Sequence, residues 1–255
     1  MDIEQENIFD KIKDVFGSMS GNVNVLEQQI DIELQMEYFK TSKKYRKFEP
    51  EDILKRKDEL FSDEIPVDEK RKLLVQLASI DDVEAFRAIE KYNKLPDKDL
   101  QNWSVMALQE SRMIIESSLL DENQVFISTG LGGKGSKLRY FVVLIHQKKE
   151  NFSKIQQKLV SSELDYSLSK YNGELESIVF SDHYAKLLTV VPISAPLQKL
   201  FQDAIHEANQ IGDFIMENFI VTNVKQLSDT EITDFLTKPP ENIDNIEDMD
   251  EEEEE

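Results

Sequence analysis

The chain has 255 residues, no cysteine, 40% hydrophobic residues and a formal net charge of −21. Its length suits one large domain or two modest ones, and the lack of thiols excludes disulfides, cysteine-ligated zinc, iron–sulfur clusters and cysteine nucleophiles. The longest apolar run, Phe141–Ile145, is far shorter than the roughly 20 residues of a membrane-spanning helix. The N-terminus is acidic and amphipathic and lacks the pattern of a secretory signal, which predicts a cytoplasmic protein.

Charge is unevenly distributed along the chain. Residues 239–255 hold ten acids and no bases, which predicts a disordered acidic tail. Residues 1–238 hold 41 acids and 30 bases, so we expect no broad electrostatic attraction to nucleic acid. Residues 40–57 oppose this trend with eight bases and three acids; besides Lys40, the bases are Lys43, Lys44, Arg46, Lys47, Lys55, Arg56 and Lys57.

Residues 1–120 show helical periodicity and predict an all-helical module. Apolar residues recur on one face near 3–16 and again from Val23 to about Lys44. A further helix is expected to begin at Pro50, because proline is favoured in the first turn. Three more are predicted from apolar residues at 73–77, 85–92 and 100–108, with Asp81 and Asp97 as N-caps.

Residues 65–120 resemble HEAT-type helical repeats, including their lyase-like variant. Helix lengths, small alanine positions and a proline–aspartate turn carry the resemblance, in Glu84-Ala85, Ala88-Ile89, Leu95-Pro96-Asp97, Leu100, Trp103 and Ala107-Leu108. One repeat and parts of its neighbours are covered, whereas such repeats stack at least three deep. The resemblance implies an extended surface for protein partners, with Trp103 in the core. An ordinary helical bundle is the alternative.

From residue 124 the pattern changes to strands that alternate with helices. After a first strand at 125–129, the predicted order is β-α-β-β-α-β, the ferredoxin-like arrangement. The predicted fold class is therefore α+β. An all-helical, HEAT-like module at 1–120 precedes a ferredoxin-like domain at 124–236 with an added N-terminal hairpin strand. A short helix capped by Ser228 and Glu231 should follow the last strand. Such a layout specifies a fold and no function.

The stretch between the first two of these strands holds four of the chain's eight glycines, Gly130, Gly132, Gly133 and Gly135, and matches G-x-G-x-x-G. Dinucleotide and Walker sites need a helix after the glycines. Here β-rich sequence follows instead. The glycine loop of protein kinases does lie between two strands, but the remaining kinase motifs are missing from this sequence. We interpret the stretch as a hairpin loop whose glycines take positive φ. Its bases, Lys134, Lys137 and Arg139, make it a candidate contact for a partner or an anion.

The sequence predicts no catalytic residues, no cofactor and no metal site. Ser181, Asp182 and His183 are the residue types of a hydrolytic triad, but adjacent side chains diverge, so His183 is interpreted as a turn residue. Glu110 and Glu116, with Arg112 between them, are interpreted as a solvated helix face. An RNA-recognition site is disfavoured because the aromatics at 140 and 141 point to opposite faces.

These patterns lead to three hypotheses about function. The main hypothesis is a non-catalytic cytosolic scaffold or adaptor that binds protein partners through the helical module and the glycine-rich hairpin loop. The first alternative is a nucleic-acid- or ribosome-associated factor that uses residues 40–57 and the loop. The second alternative is an enzyme or sensor that binds a phosphorylated small molecule at residues 130–135. A protein partner is expected and a membrane partner is not.

Overall fold

The computed structural model describes residues 23–121 and 124–237, and the structural statements below refer to these ranges. The described residues up to Lys225 belong to one compact unit, and those from Gln226 onward belong to a second, which is treated by itself. The predicted first helix near 3–16 and the predicted acidic tail at 239–255 lie outside the described residues. The predicted division into domains at 1–120 and 124–236 stays a prediction.

The first half of the described chain is helical. A short strand, β1 (Val23–Val25), precedes helices α1 (Ile32–Lys44), α2 (Pro50–Lys55), α3 (Val67–Ala78), α4 (Val83–Asn93) and α5 (Gln101–Leu120). Two 3-10 turns, Lys57–Phe61 and Lys98–Leu100, lie among them. Helix α2 begins at Pro50, as predicted. The resemblance to HEAT repeats stays a prediction.

Aspartate caps set the start of two helices. Helix α1 begins later than the sequence pattern predicts, because the Asp31 carboxylate accepts the Glu33 N–H at 2.8 Å and so caps the helix there. The N-cap of α4 is Asp82 rather than the predicted Asp81, and its carboxylate accepts the Glu84 N–H at 2.6 Å. Both corrections concern which polar residue reaches the first free N–H groups of the helix.

Asp97 was also predicted to be an N-cap, but it makes no capping hydrogen bond to the 3-10 turn that follows. One of its carboxylate oxygens accepts from the Tyr92 hydroxyl and the Lys70 ammonium, each at 2.6 Å. The Lys70 side chain is only 4% exposed. Asp97 therefore joins the end of α4 to α3 through an ion pair that is buried on the lysine side.

The helices enclose a hydrophobic core around Trp103, which is 1% exposed and lies in the core as predicted. Its indole Nε1 donates to the Arg71 carbonyl at 3.1 Å, and its ring meets the Tyr38 ring edge-on with centroids 5.1 Å apart. The Tyr38 hydroxyl donates to Glu110 at 2.6 Å. Burial, with Glu110 adding to it, raises the pKa of Tyr38 well above its ordinary value, so the phenol stays a donor. This hydrogen bond fastens α1 to α5.

The second half of unit one is a mixed α+β arrangement. It comprises β2 (Val125–Ile127), β3 (Gly133–Lys134), β4 (Lys137–Ile145), α6 (Lys154–Lys170), β5 (Glu174–Ser181), β6 (Tyr184–Pro192), α7 (Leu197–Asn209) and β7 (Ile220–Thr222). From β4 onward the order is β-α-β-β-α-β. The strands lie side by side as β7-β4-β6-β5, with every neighbouring pair antiparallel. The α+β class and the ferredoxin-like order are confirmed.

The added hairpin strand is present but differs from the predicted one. It is β3, which pairs with β4 across a two-residue turn at Gly135 and Ser136. The segment predicted for this role, at 125–129, forms β2 instead, and β2 pairs in parallel with β1 in a separate two-stranded sheet. Sequence pattern specifies a strand here, whereas the partner of that strand is chosen by the tertiary arrangement.

One face of the main sheet forms a hydrophobic core with α6 and α7. Val142 of β4 and Leu187 of β6 pack there with Leu164 of α6 and Phe201 of α7. Tyr140 packs against the same core, and burial raises its pKa to about 12. The next residue, Phe141, points to the other face and is 4% exposed. Neither ring is free to stack on a nucleic-acid base, in agreement with the sequence argument against an RNA-recognition site.

The second unit contains helix α8 (Asp229–Thr237) within its described residues. The Ser228 hydroxyl accepts the Glu231 N–H at 3.3 Å, and the Glu231 carboxylate accepts the Ser228 N–H at 2.8 Å. These reciprocal bonds satisfy two N–H groups at the helix start. The predicted capped helix is therefore confirmed.

Candidate functional site

The glycine-rich loop is anchored within the first unit. The Gly132 N–H donates to the Thr129 carbonyl at 3.1 Å, and the Leu131 N–H donates to the Asn223 carbonyl at 3.0 Å. The Gln35 side chain of α1 donates to the Thr129 carbonyl at 3.2 Å. Residues 130–133 are buried and residues 134–136 are exposed. Only the tip of the loop is therefore open to a ligand.

The glycines serve two different physical needs. Gly132 and Gly135 take positive φ, +66° and +61°, as the sequence interpretation expects. Gly130 and Gly133 are required by close backbone contacts, since a Cβ on Gly130 would lie 1.7 Å from the Val224 carbonyl oxygen. A Cβ on Gly133 would meet the Lys137 carbonyl oxygen at 2.1 Å. No helix follows the glycines, so the dinucleotide-site geometry is not formed.

Two of the three loop bases pair with carboxylates of β5. Lys134 pairs with Glu174 at 2.8 Å, and the Arg139 Nη2 donates to Glu176 at 2.9 Å. The hydrogen bond that Lys134 donates to Glu174 raises the pKa of Lys134, and the one that Arg139 donates to Glu176 raises the pKa of Arg139. The charge of Lys137 further lowers the pKa of Glu174, whose main cause of lowering is Lys134. The two glutamates therefore offset two of the three positive charges of the loop, and Lys137 forms no ion pair with another described residue.

Arg139 acts as a structural bridge. Its side chain is 13% exposed, and its Nη1 donates to the carbonyls of Leu131 at 2.8 Å and Glu27 at 3.3 Å. The guanidinium thus ties the glycine-rich loop to the segment after β1. A partly buried arginine that already makes four hydrogen bonds has few donors left for a ligand.

The sequence analysis did not predict the acidic partners of the loop. Glu174 lies 40 residues from Lys134 and Glu176 lies 37 residues from Arg139 in the chain. No local motif links such distant residues. Two glutamates do open β5, a strand of the same sheet as β4, but β6 lies between β5 and β4. Only the folded sheet therefore shows that these side chains reach the loop.

The basic stretch at 40–57 divides into two parts. At its C-terminal end each base has an acidic partner: Lys55 with Asp52 at 2.9 Å, Arg56 with Glu59 at 2.8 Å and Lys57 with Glu84 at 3.1 Å. The hydrogen bond from Arg56 lowers the pKa of Glu59. These three bases contribute little net potential.

The N-terminal part of the stretch behaves differently. Its five bases are exposed, and none forms an ion pair with another described residue; they are Lys40, Lys43, Lys44, Arg46 and Lys47, here called the basic patch. The patch spans the last turns of α1 and the loop that follows, and residues 40–47 contain no acid. Within it the Tyr45 ring has Lys44 Nζ at 5.4 Å and Lys72 Nζ at 4.9 Å from its centroid. The patch is a concentration of bases that form no ion pair with another described residue, although Arg46 lines a pocket together with Glu51, Asp81, Asp82 and Glu110.

The triad-like residues form a turn. Ser181 pairs with Tyr184 across a two-residue β-hairpin turn, in which Asp182 has φ of 49°. The His183 ring lies against the Tyr184 ring with centroids 4.0 Å apart. No contact joins His183 to Ser181 or Asp182 among the described interactions, in line with the interpretation as a turn.

Comparison with solved structures gives weak partial matches. A candidate transposase from Deinococcus radiodurans R1 matches with a TM-score of 0.34 and 12% identity, over 39% of this chain and 88% of that chain. A REP-associated tyrosine transposase bound to a REP hairpin matches with a TM-score of 0.31 and 7% identity, over 37% of this chain and 61% of that chain. No protein-family model and no curated protein matches.

The prediction of a non-catalytic scaffold or adaptor is wrong. The structures found by comparison are described as transposases, not as scaffold proteins. In addition, two of the three bases of the loop assigned as the contact element, Lys134 and Arg139, already pair with glutamates of the same protein. At these TM-scores the likeness supplies no activity or substrate for this chain. The expected protein partner stays a prediction.

Two properties of the described residues limit the kinds of site they can form. No helix among them is both long enough and apolar enough to cross a membrane. Their histidine, aspartate and glutamate side chains also form no group of three placed to hold a metal ion.

Proposed function

We propose that the protein is a nucleic-acid-associated factor that contacts backbone phosphates through the basic patch. The observation that carries this proposal is the absence of ion pairs for Lys40, Lys43, Lys44, Arg46 and Lys47 among the described residues. A base that already pairs with a carboxylate must break that pair to bind phosphate, and an unpaired base need not. The patch is thus better suited to phosphate than the glycine-rich loop.

Part of the patch also has an internal role. Lys43 and Lys44 lie in the last turn of α1, where they interact favourably with the helix dipole. Arg46 and Lys47 lie beyond the helix and gain nothing comparable. Arginine and lysine are the side chains that bind phosphate most often. Arg46 and Lys47 are therefore the bases of the patch best placed to do so.

The acidity of the remaining chain shapes how such binding would behave. A net charge of −11 for residues 1–238 repels nucleic acid at a distance. Binding should therefore be confined to the patch and oriented by it. Removing residues 239–255 takes away ten negative charges and should strengthen binding without altering the contact surface.

Binding of a fluorescein-labelled duplex or single strand is expected at low salt, with affinity falling steeply as salt rises. Five phosphate contacts predict a slope of log K against log salt of about −4.5 for duplex DNA and about −3.5 for a single strand. Replacing Lys43, Arg46 and Lys47 by glutamine should reduce the slope by about 2 to 3. Fluorescence anisotropy titrations at several salt concentrations measure this.

A matched control changes the same charge elsewhere. Lys148, Lys154 and Lys158 are exposed lysines of the α+β half, and their triple glutamine variant has the same net charge as the patch variant. The control should keep the wild-type slope. Equal losses in both variants would show a nonspecific charge effect, and no binding by the wild type or the tail-less chain at low salt would remove the proposal.

For location, we propose the cytosol, because a chain without cysteine needs no oxidising compartment for disulfide formation. Fractionation of cells that express the full chain tests this. Recovery in a secreted or membrane fraction would contradict it.

A further inference from the structure

A cavity separate from the basic patch lies between α5 and the segment that follows β1. Its volume is about 360 Å³, in the range of small-molecule sites. Gln109, Arg112 and Glu116 of α5 line it, and their spacing of three and four residues places them on one helix face. Glu27 and Gln28 line it from the segment after β1. We name this cavity the α5 pocket.

The glycine-rich loop braces the wall of this pocket. The Gly135 N–H donates to the Glu27 carboxylate at 3.0 Å, and Gly135 itself reaches the pocket rim. The carbonyl oxygens of Glu27 and Gln28 approach Gly132 so closely that a Cβ there would lie 2.5 Å from each. The glycine-rich loop therefore positions two residues of the pocket, Glu27 and Gln28.

Four of the polar side chains that line the α5 pocket lack partners within the described protein, whereas Asn24 donates to the Gln124 side chain at 3.5 Å. Gln28, Gln109, Arg112 and Glu116 form no hydrogen bond or ion pair with another described residue. Asn93 accepts a hydrogen bond from the Ser104 hydroxyl at 2.7 Å, which leaves its NH₂ group for other contacts. Donors and acceptors from facing walls thus converge on one space.

The chemistry of the lining matches a planar heterocycle with a polar edge. Four side-chain amides line the pocket, from Asn24, Gln28, Asn93 and Gln109, and each amide carries both a donor group and an acceptor. Apolar side chains line the remainder, among them Leu108, Met113 and Phe126. Nucleobases are recognised in this way, by hydrogen bonds to their Watson–Crick edge and apolar or aromatic contact on their faces.

Charge further defines the ligand. The lining has one base, Arg112, against two carboxylates, Glu27 and Glu116. A phosphate would meet a net negative surface and is disfavoured. A carboxylate instead accepts from an exocyclic amino group, as on cytosine, adenine or guanine. The lining thus favours an unphosphorylated ligand over the phosphorylated small molecule of the second alternative hypothesis.

We propose that the α5 pocket binds an unpaired nucleobase with its sugar, and that it prefers bases with an exocyclic amino group. The inference does not rest on the basic patch, because the two surfaces share no residue. The base can come from a free nucleoside or from an unpaired position of a strand, and the chemistry of recognition is the same.

Calorimetric titration of the full chain with guanosine, adenosine, cytidine and uridine tests the proposal. Sub-millimolar binding of at least one amino-bearing nucleoside is expected, with uridine weakest. Glu116→Gln combined with Gln109→Ala should weaken binding about tenfold, the loss expected for a charged hydrogen bond. Asn102→Ala, at an exposed position of α5 outside the pocket, is the control and should bind as the wild type does.

Further measurements distinguish the sources of the base and the two proposals. Competition between guanosine and an unlabelled single strand identifies a strand as the source, and the lack of competition identifies free nucleoside. The patch variant should retain nucleoside binding, so failure of the nucleic-acid proposal is distinguishable. No heat with any nucleoside, equal weakening in Asn102→Ala, or tenfold tighter binding of guanosine monophosphate than of guanosine would each overturn the inference.

Discussion

Replacing Asp97 by alanine is expected to lower the free energy of unfolding by about 3 kcal/mol, because it leaves a buried ammonium without its partner. Lys70 is 4% exposed on its side chain and pairs with Asp97 at 2.6 Å. The Tyr92 hydroxyl loses its acceptor at the same time. Asp97 itself is 35% exposed, so water offsets part of the loss and places the effect at the lower end of buried ion pairs. Urea unfolding measures the change.

The control for this substitution is Asp99→Ala, an exposed aspartate two residues further on, which should change stability little. The double variant Lys70→Met with Asp97→Ala should be more stable than Asp97→Ala alone, because no unpaired charge remains buried. A loss below about 1 kcal/mol for Asp97→Ala, within the range of surface ion pairs, would contradict a buried anchor.

The same cluster predicts a dependence of stability on pH. Hydrogen bonds from Lys70, then from Tyr92, lower the pKa of Asp97. A lowered folded-state pKa contributes stability that is present above the unfolded value, about 3.9, and is lost as pH falls through the folded value. The stability difference between the wild type and Asp97→Asn should therefore be constant near neutral pH and shrink below about pH 4. A constant difference down to pH 2 would contradict it.

Replacing Gly132 by alanine is expected to destabilise the protein by about 2 to 5 kcal/mol, from backbone strain at positive φ together with steric overlap. Its φ is +66°, and the new Cβ would lie 2.5 Å from the carbonyl oxygens of Glu27 and Gln28. Those atoms are backbone and cannot rotate away. The first unit must therefore shift the segment after β1 to admit the methyl group.

Gly135→Ala is the matched control, because Gly135 has almost the same φ, +61°, and its Cβ would meet nothing within 4 Å. It should cost only the strain of the left-handed conformation, about 1 to 2 kcal/mol. The difference between the two variants in thermal or urea unfolding isolates the packing contribution. Equal losses would show that the loop does not pack against residues 27 and 28 as the structure describes.

Local pattern was enough to predict most helices and strands of the described residues. The period of 3.6 in apolar residues located the helices around 73–77, 85–92 and 100–108, and alternation located the strands of the ferredoxin-like order. The Ser228–Glu231 cap was also readable, since its partners lie three residues apart. Such features depend on neighbours in the chain, which the sequence displays directly.

The boundaries of helices, and the residues that pair with each strand or side chain, were harder to predict from the sequence. The pattern from Val23 onward is compatible with a helix, but β1 pairs with β2, about a hundred residues away, and α1 begins only at Ile32, after its cap Asp31. Asp97 matches an N-cap in sequence and becomes an ion-pair partner because α3 brings Lys70 to it. Local hydrogen-bonding preference is worth about 1 kcal/mol, and a tertiary contact can outweigh it.

The candidate sites show the same division. Composition by itself determined where bases are concentrated: residues 40–57 and the glycine-rich loop. Only the tertiary structure decided that Glu174 and Glu176 pair with Lys134 and Arg139 of the loop. It also decided that the bases of the patch find no ion-pair partner among the described residues, and that the loop contacts the wall of the α5 pocket. The physical reason is range: net potential depends on all charges within about a Debye length, roughly 8 to 10 Å, whatever their separation along the chain.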